Sequence, residues 1–220
     1  MVLHYSAGKP KIDYLDPKSP WTQLHAGLMK AFPGELVKFV DITRDEQKVL
    51  FYTYSDRDPG TYYLFDRKTN KPSLLFKTRE DIDPAQMSPT MPLEFKNRDG
   101  ETLFGFLTLP QGKTGNLPLV VMPHGGPYGI SDTWSFNSDA QFFASLGYAV
   151  LRVNYRGSGA RGVTFKESTY KGWGTGIQND ITDGVKYVIS QGMPISTAAK
   201  PNSPAACSAN SPARKRTNSA

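Results

Sequence analysis

Residues 117–155 read LPLVVMPHGGPYGISDTWSFNSDAQFFASLGYAVLRVNY, and this stretch decides the fold. The run LPLVVM is continuously apolar, which is typical of a strand buried on both faces of a parallel sheet. A helix follows it, with Ser138 as the predicted N-cap and Gly147 as the predicted C-cap. YAVLRVNY is then a second buried strand. Strand, helix and strand in this order predict an α/β domain.

A second helix is predicted downstream, because apolar residues recur there at helical spacing and share one face. They are Ile177, Ile181, Val185, Val188 and Ile189. The alternation of strands and helices is typical of a doubly wound α/β domain with right-handed crossovers. Such a domain needs another apolar strand soon after Gly192, and none follows. Without it, the edge of the strand at 117–122 is expected to be open for association.

Residues 194–220 read PISTAAKPNSPAACSANSPARKRTNSA and contain no aromatic side chain. This composition cannot bury enough apolar area to offset the entropy of the chain, so we predict that the segment is disordered. The change of composition is abrupt. A natural linker and a shifted reading frame both remain open as explanations.

Upstream, four short runs are rich in β-branched and aromatic residues and are separated by turn sequences. They are VKFVDI, KVLFYTY, TYYLF and PSLLF, between residues 37 and 76. Four such strands have the size of one β-propeller blade, although any small antiparallel sheet gives the same pattern. Residues 80–91 are a predicted linker. PLEFK and TLFGFLTLP then form a predicted hairpin around Asn97-Arg98-Asp99-Gly100.

Charge and composition exclude several classes of partner. The net charge is +6, and four of the positive charges lie in the last stretch, at Lys200, Arg214, Lys215 and Arg216. The remainder is nearly balanced, which argues against a nucleic-acid-binding face. No apolar run reaches the roughly 20 residues of a membrane helix, and the N-terminus has no signal-peptide pattern. We expect a soluble protein, cytoplasmic as written, that binds neither nucleic acid nor membranes.

Metal and disulfide chemistry is not expected either. The single Cys207 rules out an internal disulfide. The three histidines, His4, His25 and His124, are too scattered along the sequence for a typical metal-binding motif.

The loop after the first buried strand contains His124-Gly125-Gly126-Pro127. Two glycines in this position let backbone N–H groups face a concave site without obstruction by side chains. An oxyanion hole needs fixed donors of this kind about 3 Å from the developing negative charge. A tight turn would use the same residues, so the motif alone is only moderately specific.

Two other motifs point to different functions. Residues 157–162, GSGARG, satisfy the G-x-G-x-x-G dinucleotide fingerprint after a strand. A dinucleotide-binding helix should begin at once, however, and VTFKESTYKGWGTG follows instead. The cluster ARKR in the tail is a possible nucleic-acid or localisation patch. Neither of these motifs outweighs the oxyanion-hole interpretation.

The order MPHGGP, GYAVLRVNYRGSGARG, YKGWG and NDITDGVKYVI resembles the prolyl-oligopeptidase family of serine peptidases, in particular its acylaminoacyl-peptidase and dipeptidyl-peptidase branches. The resemblance covers about residues 90–193. It implies a partial α/β-hydrolase sheet preceded by a β-propeller blade-like antiparallel segment. On this basis, residues 1–85 are expected to be the C-terminal part of a propeller (about one blade), 86–193 the N-terminal half of the hydrolase domain, and 194–220 a tail outside the family pattern, for which a shifted reading frame is one of the two open explanations.

The resemblance also implies roles for individual residues. The family's HGGP loop supplies an oxyanion donor, which corresponds here to the backbone of Gly126. Some branches place a tyrosine hydroxyl near this point, and the matching residue here is His124. Arg156 and Asp180 match positions around the following loop and helix, and we hypothesise that they pair to brace the active-site loops. The implied reaction is acyl transfer to serine and hydrolysis of short peptides, with no metal or organic cofactor.

The nucleophile that the family requires is missing from the 220 residues. It would lie in a G-x-S-x-G turn, and Ser203, Ser208 and Ser211 lack the flanking glycines. No histidine follows His124. We therefore predict a peptidase fragment that is inactive alone. The alternatives are a non-catalytic remnant that associates through its open sheet edge, and an esterase-like activity with an unusual nucleophile, for which the sequence offers no base.

Overall fold

The computed structural model describes residues 2–4, 8–113, 115–126 and 128–196. These residues contain two four-stranded sheets and a small pair, β1 (Val2–His4) and β2 (Lys11–Asp13). The helices are α1 (Pro20–Ala31), α2 (Ser138–Ser145), α3 (Val163–Glu167) and α4 (Gly176–Ser190). No helix within these ranges is long and apolar enough to cross a membrane.

The N-terminal sheet is antiparallel, and its strands follow one another in chain order. They are β3 (Leu36–Ile42), β4 (Lys48–Tyr54), β5 (Thr61–Asp66) and β6 (Lys71–Lys77). These bounds agree with the four predicted runs to within one residue at each end. Alternate residues of β4 point inward, so that Val49 and Phe51 are fully buried. β6 lies at one edge of the sheet, and all seven of its residues are exposed.

Helix α1 covers the inner face of the N-terminal sheet and was not predicted. Its buried Leu28 packs with Val37, Val49, Phe51 and Phe65. Pro20 occupies its first turn, where the missing N–H has no helical partner to lose. Trp21, Leu24, Leu28 and Phe32 recur at helical spacing and pack on the sheet, so the sequence does carry a signal for this helix.

The C-terminal sheet is mixed rather than fully parallel. Its order is β7 (Thr90–Lys96), β8 (Thr102–Thr108), β10 (Ala149–Asn154) and β9 (Leu119–Val121). β10 is parallel to β9 and antiparallel to β8. Of the parallel sheet that was predicted, the described chain contains one parallel pair, β9 and β10. The tight hairpin between β7 and β8 forces those two strands to be antiparallel.

Strand β9 differs from its prediction. It has three residues instead of six, and each is only partly buried because β9 is the outermost strand of the described sheet. On the outer side, hydrogen bonds form just before β9, at Leu117. The Leu117 N–H donates to the Pro194 carbonyl, and the Leu117 carbonyl accepts from the Ser196 N–H. Residues 194–196, predicted as the start of the tail, thus lie against this sheet, and Ile195 is buried. The rest of the predicted tail, 197–220, lies outside the described residues.

The two helices that flank this sheet are capped and packed differently. Asn137, not Ser138, caps α2, since its side chain accepts a hydrogen bond of 2.9 Å from the Ala140 N–H. α4 packs closely on β10, because a Cβ on Gly184 would lie 2.7 Å from Val153. The buried face of α4 includes Ile181 and Val188, as its spacing predicts.

The two sheets are joined through buried hydrogen bonds from α2. The Gln141 carboxamide accepts from the Ser88 N–H at 2.8 Å and donates to the Ser88 carbonyl at 2.8 Å. It also donates to the carbonyl of Asp56, and the Asp56 carboxylate accepts from the Thr90 N–H at 2.7 Å. Residues 80–91, which were predicted as a linker, contain a short 3-10 helix, Pro84–Gln86. The C-terminal end of this segment, at Ser88 and Thr90, is buried between the sheets.

Candidate active-site loops

Two loops lie side by side where β9 and β10 end. The strands are parallel neighbours, so their carboxyl ends meet at one edge of the sheet. The Gly129 N–H donates to the Gly157 carbonyl at 2.9 Å, and the Gly159 N–H donates to the Ile130 carbonyl at 2.9 Å. The structure thus joins the loop that contains His124, Gly125 and Gly126 to the loop after β10.

His124 is held by the loop after β10. Its Nε2 lies 2.8 Å from the Ser158 hydroxyl, and its ring stacks on Tyr155 with 4.4 Å between centroids and 19° between planes. Tyr155 donates a hydrogen bond of 2.7 Å to the His124 carbonyl. Burial raises the pKa of the Tyr155 phenol, with a smaller contribution from the charge of Asp132. Sequence reasoning named neither Tyr155 nor Ser158 as a partner of His124, because nothing in the spacing pairs them.

Gly126 occupies a backbone conformation that only glycine adopts without strain. Its φ is +111°, and a Cβ there would lie 2.5 Å from Ile130 Cδ1. Both Gly125 and Gly126 are exposed. Within the described ranges, no residue accepts a hydrogen bond from the Gly126 N–H. The group is therefore available to an external acceptor.

The structure places Arg156 against Asp180, the two residues that we predicted to pair. The Asp180 carboxylate accepts from the Arg156 backbone N–H, Nε and Nη2, each at 2.9 Å. Asp180 is fully buried and also accepts from Asn97 at 2.7 Å. Hydrogen bonding to Asp180 raises the pKa of the Arg156 guanidinium, and Asp99 contributes less. Whether this pair braces catalytic loops stays a prediction, and Asn97 is a partner that the sequence did not indicate.

The YKGWG motif supports the same loops from outside. The Trp173 indole N–H donates to the Tyr128 hydroxyl at 2.8 Å, and Tyr128 donates to the Thr169 carbonyl at 3.0 Å. The Thr169 hydroxyl donates in turn to the Arg156 carbonyl at 2.9 Å. Trp173 itself is 66% exposed, so its ring forms part of the surface beside the glycine loop.

The Ser158–His124 pair has the composition of a nucleophile and its base, but its burial excludes attack on a substrate. Ser158 is 0% exposed. A catalytic serine must present its oxygen to the substrate while the histidine takes its proton. The three serines near the expected nucleophile position, Ser203, Ser208 and Ser211, lie outside the described residues. Within the described part, no three His, Cys, Asp or Glu side chains cluster as metal ligands.

Comparison with known proteins relates the chain to one family. Residues 134–199 match the model of the prolyl oligopeptidase family. The dipeptidyl aminopeptidase BIII of Pseudoxanthomonas mexicana is 31% identical over 169 residues, which cover 73% of this chain and 24% of that protein. The dipeptidyl peptidase family member 6 of Caenorhabditis elegans is 29% identical over 188 residues, which cover 76% and 25%.

The fold is also found in solved structures. The acylaminoacyl peptidase of Pyrococcus horikoshii superposes with a TM-score of 0.57 at 23% identity, covering 73% of this chain and 25% of that one. The match shows that the two proteins share a fold over this part. The chain is therefore a relative of the prolyl oligopeptidase family of serine peptidases and spans about a quarter of the length of the relatives that it matches.

Proposed function

We propose that the chain is the oxyanion-side part of a serine peptidase that acts on short peptides. The observation that carries this proposal is that Gly126 is exposed and that its N–H has no acceptor among the described residues, in a loop held at the carboxyl end of a parallel strand pair. In the reaction, a seryl oxygen attacks the peptide carbonyl and the carbonyl oxygen becomes negative. A fixed N–H donor at that point stabilises the tetrahedral intermediate.

The relatives support the substrate class and the domain assignment. Two of them are named as a dipeptidyl aminopeptidase and an acylaminoacyl peptidase, which is in accord with short peptides as substrates. On the same grounds, the N-terminal sheet is the last blade of a propeller, and the C-terminal sheet is the first half of an α/β-hydrolase sheet. The predicted boundary near residue 85 lies in the segment that crosses between the two sheets.

The 220 residues alone are expected to lack peptidase activity, because an acyl-enzyme needs an activated serine and a base. The purified polypeptide should therefore not react with a fluorophosphonate probe, and it should not cleave fluorogenic dipeptide substrates. A catalytically intact relative from the same family serves as the positive control. Labelling of the 220-residue chain that is lost in Ser158→Ala would overturn the inactivity and identify the buried pair as catalytic.

The encoding DNA tests the peptidase assignment itself. We expect a shifted frame downstream of codon 193 to encode an apolar strand followed by G-x-S-x-G. Expression of that longer product should give a chain that reacts with the fluorophosphonate probe. If no frame contains such a stretch, the assignment to a catalytic parent loses its support, and a binding function becomes the better proposal.

A second candidate function is association through the outer strand of the C-terminal sheet. Among the described residues, the outer side of β9 is bonded only at Leu117, which leaves Leu119–Val121 as an apolar edge. Val120→Lys should then reduce self-association in sedimentation experiments. Leu74→Lys on β6, the fully exposed edge strand of the N-terminal sheet, is the control. Equal sedimentation of the unsubstituted chain and both variants would dismiss the edge as an interaction surface.

A further inference from the structure

We propose that Arg152, the charged residue of β10, binds ordered water at a closed site between the two sheets. Its guanidinium pairs with one carboxylate, and Nε and Nη2 have no acceptor among the described residues. The ligand that this site takes is neutral water. The proposal does not depend on the peptidase function.

Strand geometry places Arg152 in the layer where the sheets meet. Side chains alternate along β10, and Val153 faces α4, since a Cβ on Gly184 would lie 2.7 Å from it. Arg152 therefore points to the opposite face, where its guanidinium carbon lies 5.3 Å from the centroid of the Phe106 ring. Phe106 packs with Leu36 of the N-terminal sheet, and Arg152 is 2% exposed.

The ion pair that Arg152 makes is incomplete on both sides. Nη1 donates to Asp132 Oδ1 at 2.9 Å. Within the described residues, Nε and Nη2 have no acceptor, and Asp132 Oδ2 has no donor. Buried polar atoms without a partner cost free energy, because they lose the hydrogen bonds that bulk water gave them. Where no protein group reaches such atoms, ordered water serves as their partner.

Other arginines of the chain show what this edge of a guanidinium binds. In three pairs, Nε and Nη2 both donate to the carboxylate of one aspartate. The pairs are Arg79 with Asp81, Arg98 with Asp183, and Arg156 with Asp180. In Arg152 the carboxylate contacts Nη1 instead, so the edge that carries Nε and Nη2 needs another acceptor.

The backbone of Asp132 explains this different contact. Its N–H donates to Asn154 Oδ1 at 2.8 Å, and its carbonyl accepts from Asn154 Nδ2 at 3.0 Å. Both hydrogen bonds fix Asp132 against β10, two positions from Arg152 along the strand. The carboxylate is thereby held beside Nη1 and does not turn to the other edge of the guanidinium.

The charges of the site favour water over an ion. An anion would accept from Nε and Nη2, but it would add a second negative charge beside the buried Asp132 carboxylate. A cation would bind Asp132 Oδ2, but it would lie beside the guanidinium. Water accepts from the N–H groups, donates to the carboxylate oxygen and leaves the charge pair balanced.

The site is closed to bulk solvent. Arg152 is buried, the Phe106 ring lies over its guanidinium, and Trp134 is buried in the same cluster. Water held here leaves only when the surrounding side chains open locally, so it exchanges more slowly than water on the protein surface. This slow exchange is the property that the experiments measure.

The first test is a rotating-frame Overhauser experiment on the 220-residue chain, labelled with ¹⁵N. We expect a cross-peak between water and the Arg152 Nε–H whose sign is opposite to that of the diagonal. Proton exchange gives the same sign as the diagonal, so the sign identifies bound water. Arg79, whose pair with Asp81 lies at the surface, is the internal control and should not show the opposite sign. Absence of the cross-peak at Arg152 in the folded chain would overturn the proposal.

The second test counts long-lived water by ¹⁷O relaxation dispersion. The double variant Arg152→Met with Asp132→Leu removes the donors and the acceptor together, so that no unpaired charge stays buried. The amplitude of the dispersion should fall by the contribution of roughly one water molecule. Arg79→Met with Asp81→Leu makes the same replacements in an exposed pair and should leave the amplitude unchanged. Equal amplitudes in the two variants would refute the site. If the Arg152 variant does not fold, the Overhauser measurement on the unsubstituted chain decides.

Titration with sodium chloride, and separately with phosphate, distinguishes water from an anion. We expect the Arg152 Nε–H resonance to shift no more than that of Arg79 as either salt is added. A saturable shift confined to Arg152 would show that an anion occupies the site, and it would overturn the assignment of water.

Discussion

The two sheets bury polar groups in different ways. The N-terminal sheet buries an uncharged imidazole: His25 is 1% exposed, with Nε2 2.9 Å from the Val37 carbonyl and Nδ1 2.8 Å from the Tyr14 hydroxyl. The C-terminal sheet buries charge, and Asp180 is bonded there to Arg156 and Asn97. A neutral group loses less solvation on burial than a carboxylate does, so the buried carboxylate depends more strongly on its partners.

This difference predicts different responses to acid. Burial lowers the pKa of His25, although its hydrogen bond to Val37 acts in the opposite direction. Unfolding therefore takes up a proton once the pH falls below the ordinary value near 6.5. In the C-terminal sheet, hydrogen bonds from Arg98 lower the pKa of Asp183 below 3.8. Its contribution to stability is complete above the ordinary pKa and is lost only as the pH falls through the lowered one.

The largest effect is expected from Asp180→Ala. The substitution leaves the Arg156 guanidinium and the Asn97 amide without their buried acceptor, which should cost about 3–5 kcal/mol of unfolding free energy. Hydrogen exchange should show the loss at Val153 in the C-terminal sheet before Phe51 in the N-terminal sheet. Asp139→Ala, at an exposed site in α2, is the control.

Equal loss of protection in both sheets would contradict the comparison, because it would mean that the sheets unfold as one unit. A double-mutant cycle of Arg156→Met with Asp180→Leu measures the interaction energy between the two side chains. We expect coupling of the two substitutions, and its absence would remove the proposed bracing role of the pair.

The next effect is the pH dependence of the N-terminal sheet. Each unit by which the pKa of His25 is lowered corresponds to about 1.4 kcal/mol of stability, which is lost below pH 6.5. Denaturant titrations between neutral pH and pH 5, followed with a probe at Phe51, should show that the unfolding free energy of this sheet falls as the pH falls. The change of this free energy per pH unit is the slope used below. His25→Gln should be less stable at neutral pH but nearly independent of pH in the same range.

His124→Gln serves as the second control for that slope. His124 lies in the loop after β9, far along the chain from the N-terminal sheet, so its removal should leave the slope at Phe51 intact. A slope that disappears with His124 instead of His25 would show that the acid sensitivity has been assigned to the wrong sheet.

The smallest effect concerns the cap of α2, the helix that joins the sheets. Asn137→Ala removes the hydrogen bond to the Ala140 N–H and should cost about 1 kcal/mol. Ser138→Ala, one residue later, should change the unfolding free energy by only a few tenths of a kcal/mol, since its side chain is exposed and does not cap the helix. The reverse order of the two effects would restore Ser138 as the cap.

Some features of the fold could be predicted from the sequence because they depend on local periodicity. β4 alternates buried and exposed residues, and β10 is continuously apolar, so each strand was located to within two residues at either end. The same holds for the buried face of α4. The glycine loop was recognised because Gly125 and Gly126 directly follow an apolar strand, and the structure gives Gly126 a positive φ.

Other features depend on contacts between distant segments, which no local pattern encodes. The hydroxyl of Ser158 meets His124 across 34 positions, and Asn97 meets Asp180 across 83. Gln141 resembles any polar helix residue until the fold places it against Ser88. The sequence by itself determined most strands of the two larger sheets and the glycine loop, and its motifs indicated the family. Only the tertiary structure decided which side chains hold that loop, because hydrogen-bond partners are selected by where the packed sheets bring the chain together.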